Sequence, residues 1–159
     1  MGSRCDTRHD RSLLGFQGLR PEVAIEPDLE LDSRNPFSTQ FRFHNHSWYA
    51  LRDVSVSCII LEVVDARTRL LSGANLTVDG STPLAVLGHD ESLTKNCNLG
   101  IRFAFIPIFT KADVVLQISY RLPWLTRTGK RERFVGRSDD KGVIHWSHQP
   151  IGDALEQLE

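Results

Sequence analysis

The sequence predicts an all-β protein, an antiparallel two-layer sandwich of roughly 7–9 strands. Three observations carry this expectation. Apolar residues recur at alternate positions in short runs, not at helical spacing. Clusters of Gly, Pro, Asn and Asp separate the runs at near-regular intervals. The chain has 159 residues, which suits one domain.

The elements follow in order. Residues 1–20 are charged, with Cys5 and His9 among Arg and Asp, and read as a flexible arm. The sandwich is expected over residues 21–150. Its first strand is Val23-Ala24-Ile25-Glu26, between Pro21 and Pro27, a composition suited to a sheet edge. A turn cluster at 32–36 precedes residues 39–44, where Phe41 and Phe43 face in and Gln40, Arg42 and His44 face out. Residues 54–61 alternate and then become apolar on both faces, as in a central strand. Residues 65–90 are less regular. Leu76 and Val78 mark one short strand there, and Leu84 and Val86 another.

Strands are expected at 92–97 and 101–105. The clearest is 113–122, with Val114, Leu116, Ile118, Tyr120 and Leu122 on one face. Residues 131–135 follow a Thr128-Gly129 turn, and 143–146 follow an Asp140-Lys141-Gly142 turn. Residues 151–159 read as a C-terminal tail. The expected core includes Phe41, Phe43, Val54, Val56, Cys58, Phe103, Phe105, Leu116, Ile118, Tyr120 and Phe134.

Nineteen Lys+Arg against twenty Asp+Glu give a net charge of -1. That lacks the whole-chain basicity of many nucleic-acid binders, so no nucleic-acid partner is expected. No apolar run approaches the ~20 residues of a transmembrane helix. No Gly-x-Ser-x-Gly, P-loop, dinucleotide glycine pattern or His-Glu-x-x-His is present, so no enzyme, catalytic residue or cofactor is expected.

Several runs carry a resemblance. They are Asn35-Pro36-Phe37-Ser38-Thr39-Gln40-Phe41, Asn45, residues 51–58, 91–97 and 112–116, Tyr120-Arg121-Leu122-Pro123-Trp124, 130–135 and 142–146. In this order they resemble small uncharacterised bacterial proteins with an immunoglobulin-like sandwich and commonly an N-terminal membrane anchor. The resemblance implies an immunoglobulin-like fold and a periplasmic or cell-envelope location, the alternative being cytoplasmic. It implies no activity.

Three groups of residues are candidates for function. Cys58 and Cys97 lie on two expected strands and are a candidate disulfide, set against two buried thiols. Arg127, Lys130, Arg131, Arg133 and Arg137 crowd one hairpin, near Trp124 and with only Glu132 opposing. A basic patch beside an aromatic suits phosphate, acidic lipid headgroups at a membrane surface or an acidic protein surface. The plainer reading is a charged edge strand that blocks aggregation. His44 and His46 share an outward face, where His89, His145 or His148 could complete a zinc or copper site. Without acidic ligands at a known spacing they read as solvated side chains, and no metal is expected. The function expected is a non-enzymatic protein-interaction module, an accessory subunit of a multi-subunit envelope complex. The alternative is a small-ligand or carbohydrate-binding sandwich using Trp48, Tyr49 and Trp124.

Overall fold

The computed structural model describes residues 21–30, 34–79, 83–98, 107–122 and 127–152. Among them are nine strands in two antiparallel sheets and no α-helix. The small sheet holds β1 (Val23–Glu30), β2 (Thr39–Asn45) and β6 (Ser92–Asn96), in the order β1-β2-β6. The large sheet holds β3 (Leu51–Asp65), β4 (Arg69–Asp79), β7 (Phe109–Arg121), β8 (Arg127–Ser138) and β9 (Ile144–Gln149). Its order is β4-β3-β7-β8-β9, and the short β5 (Leu84–Leu87) also pairs with β3. This is the expected antiparallel two-layer sandwich.

Alternation decides which side chains meet between the layers. Phe41 and Phe43 project from β2 towards Phe134 and Leu116 of the large sheet, and all four are buried. Phe41 packs against Phe134 and Trp146 with ring centroids 5.4 and 5.2 Å apart. On β7, Val114, Leu116, Ile118 and Tyr120 are buried on the inner face, joined by Leu122 just beyond the strand. Val56, expected in the core, is half-buried and packs at its margin. It lines an open gap with Pro83, Leu84 and Leu93 where the layers diverge. Within the irregular stretch, β4 and β5 extend the large sheet. β4 pairs with β3 along most of its length, with register shifts that absorb the uneven spacing.

Cys58 of β3 and Cys97, one residue past β6, form a disulfide with Cα atoms 5.6 Å apart. The bond ties the two sheets together. Residues 1–20, Phe103, Phe105, Trp124 and residues 153–159 lie outside the described residues.

Candidate functional site

The basic hairpin divides between two faces. Register places Arg127, Arg131, Arg133 and Arg137 on the outer face of the large sheet. They stand opposite Arg121, Gln117, Val115 and Lys111 of β7. Lys130 and Glu132 alternate to the inner side. There the Lys130 ammonium donates to the Val23 carbonyl at 2.6 Å and pairs with Glu132 at 2.5 Å. Glu132, expected to oppose the arginines, therefore neutralises Lys130 instead.

β8 pairs with β7 from Arg127 to Arg137, but β9 pairs only with Arg133–Ser138. Arg133 and Arg137 therefore lie between two strands, whereas Arg127, Lys130 and Arg131 stand on the half of β8 that has no second strand partner among the described residues. The charged-edge reading applies to those three and not to Arg133 and Arg137.

The outer arginines differ in their partners. Arg133 makes two hydrogen bonds to Asp113, Nε to Oδ1 at 2.9 Å and Nη2 to Oδ2 at 2.7 Å. Asp113 is only 3% exposed. This fork-to-fork bond raises the Arg133 pKa further and commits the guanidinium to the fold. Arg127 is exposed and donates to Ser55 Oγ at 2.5 Å. Arg131 is exposed and donates to Gln117 Oε1 at 2.9 Å. These acceptors are neutral, and neither guanidinium has a carboxylate partner among the described residues. Arg137 is exposed at the far end of the strand, opposite Lys111 and His145.

The structure adds residues that the sequence reading missed. Arg52 of β3 stands directly opposite Arg121 of β7, which stands directly opposite Arg127 of β8. Three arginines thus form one row across three adjacent strands, and Arg131 lies two pairs further along β8. Like charges placed directly opposite are destabilising in a sheet. Asp53 offsets Arg121 at 3.3 Å on the surface. Asp53 adopts φ 49°, in the left-handed region, where the β3–β7 register shifts. No sequence pattern links Arg52 with Arg127, because only strand pairing brings them together.

Beside this row runs an open groove of ≈ 560 Å³, lined by Gln117, Ser119, Arg127, Thr128, Gly129, Arg131 and Ile151. Its lining supplies cations, hydroxyls and an amide. Among the described residues, that lining includes neither a carboxylate nor an imidazole. Of the aromatics in the ligand-binding alternative, Trp48 is 64% exposed and Tyr49 is buried, their rings meeting edge to face with centroids 5.3 Å apart.

Comparison with protein-family models, curated proteins and solved structures finds no match to this chain.

Proposed function

We propose that the protein is a non-catalytic binding module that docks an acidic partner protein on the outer face of its large sheet. The row Arg52–Arg121–Arg127 carries this reading. A sheet that served stability alone would gain nothing from stacking three guanidinium groups. A partner carboxylate supplies the missing charge, and the fork geometry of arginine suits its two oxygens. Gln117, Ser119 and Thr128 offer neutral hydrogen bonds beside it. The disulfide between Cys58 and Cys97 supports an oxidising compartment. We place the module in the periplasm or cell envelope on that basis, as an accessory subunit of a larger assembly.

A labelled peptide rich in Asp and Glu, followed by fluorescence anisotropy across a salt series, tests the surface. Reversing Arg127 and Arg131 to Glu should weaken binding by at least about tenfold and flatten its salt dependence, because exposed charges act over about 8–10 Å. The variant should melt like the wild type, since neither arginine is tied to a buried carboxylate. Equal binding by both proteins would remove this face as the docking site.

A further inference from the structure

On the opposite layer, β2 ends in His44 and Asn45, and His46 follows directly. We propose that His44, His46 and Asp90 form a binding site for one zinc ion on the outer face of the small sheet. His44 alternates outward from Phe43, and the His46 ring stacks beside it with centroids 4.1 Å apart. His44 Nε2 lies 2.9 Å from Asp90 Oδ1. No two of the three ligand atoms are more than 4.8 Å apart. Tetrahedral zinc, with bonds of about 2.0–2.1 Å, spaces its ligand atoms by about 3.4 Å. A small rotation of the side chains closes that difference.

The fold builds this arrangement from outside the cluster. Asn45 is fully buried. Its Nδ2 donates to the carbonyls of Tyr49, Leu87 and Gly88, and its Oδ1 accepts from the Ser47 amide. The Asn45 amide donates to the Glu91 carbonyl, and the Asp90 amide donates to the Asn45 carbonyl. The turn carrying Asp90 is thereby fastened to the end of β2. Asp90 adopts φ 60°, a left-handed backbone that Asp tolerates better than most residues. Ser92, opposite His44 in the β2–β6 register, places its Oγ 2.6 Å from His44 Nδ1. With zinc bound, Nδ1–H donates to that oxygen and Nε2 presents its lone pair to the metal. Such an outer contact orients a zinc-binding imidazole.

The histidines expected to complete a metal site are engaged elsewhere. His89 Nδ1 meets the Ser47 carbonyl at 2.8 Å, His145 meets Asp139, and His148 faces Glu132. The third ligand is instead an aspartate 44 residues beyond His46 in sequence, brought there by β6 pairing with β2. Two imidazoles and one carboxylate leave the fourth zinc position for water or a group from a partner.

Calorimetric zinc titration of the full chain tests the site. It is run in a Cys5→Ser, His9→Gln background to remove competing ligands among residues 1–20. One zinc per chain is expected. His46→Gln and Asp90→Asn should each weaken binding by at least about tenfold, whereas His145→Gln with His148→Gln should not. Asn keeps the left-handed turn accessible, so Asp90→Asn separates lost ligation from lost shape. Imidazole nitrogen NMR of the unsubstituted site supplies an independent reading, in which His44 and His46 resonances shift together on zinc addition. Absence of a saturable site, undiminished affinity in either single variant, or unshifted His44 and His46 resonances would overturn the proposal.

Discussion

Asp113 and Arg133 show how one residue's neighbour changes what it does. Both stand on the outer face of the large sheet, yet the carboxylate is nearly inaccessible and both its oxygens are taken by the guanidinium. Arg133→Ala leaves that carboxylate without its partner and should destabilise the fold by about 2–3 kcal/mol in urea unfolding. Arg131→Ala removes only an exposed contact and should stay within about 0.5 kcal/mol. Equal effects would mean the ion pair carries no structural weight. Tyr120 supplies a second residue-scale test. Burial, with the Tyr49 side chain adding to it, pushes its pKa up from 10.0 to about 12. A raised folded pKa stabilises the fold fully below the unfolded value and loses that contribution as pH rises through the folded one. Stability should therefore fall by about 2–3 kcal/mol between pH 10 and pH 12, tracked by tyrosinate absorbance. Ionisation of Tyr120 near pH 10 in the intact fold would contradict its burial.

At the scale of elements, the β8–β9 hairpin depends on Asp139. Its Oδ1 accepts from the amides of Lys141 and Val143, and its Oδ2 lies 3.0 Å from His145 Nε2. These bonds favour the ionised form, with His145 the largest influence, and hold the carboxyl below its ordinary value of 3.8. A lowered folded pKa stabilises the fold above the unfolded value, and the contribution fades as pH falls through the folded one. Asp139→Asn should flatten the acid side of the stability profile below about pH 4; an unchanged slope would assign it to other carboxyls. The β7–β8 pair contains a tighter constraint. A Cβ at Gly129 would stand 2.5 Å from the Ile118 carbonyl oxygen, a backbone atom that cannot rotate away. Gly129→Ala should destabilise by about 1–3 kcal/mol despite the position's exposure, measured by thermal melting. A neutral outcome would mean that the two strands separate easily.

For the whole molecule, the disulfide adds a covalent link between two sheets otherwise joined by side-chain packing and by hydrogen bonds such as Lys130 Nζ to the Val23 carbonyl and Trp146 Nε1 to Thr39 Oγ1. Cys58 and Cys97 are 39 residues apart in sequence. Closing a loop of that length stabilises by about 4 kcal/mol in the chain-entropy model. Reduction, or replacement of both cysteines by Ala, should lower stability by about that amount. Free-thiol counting on denatured, unreduced protein should find only Cys5. Three free thiols would contradict the bond.

The alternation of β2 and β7 was legible because a strand exposes opposite faces to core and water, so local composition records the fold's inside and outside. Phe41, Phe43, Leu116 and Ile118 are buried for that reason. The same logic made the β3–β4 hairpin hard to read, since bulges break the period of two on which alternation depends. The hairpin arginines were visible as a cluster. Their division between faces follows from register, and the flanking of Arg133 and Arg137, but not Arg127 or Arg131, by β9 follows from strand order, which no local pattern encodes. Likewise, His44 and His46 are neighbours in any extended strand, but Asp90 joins them only through the pairing of β6 with β2. Periodicity is a property of nearby residues. Charge rows, the Arg133–Asp113 pair and the His44–His46–Asp90 cluster depend on contacts between residues distant in sequence, and the tertiary structure alone decides those.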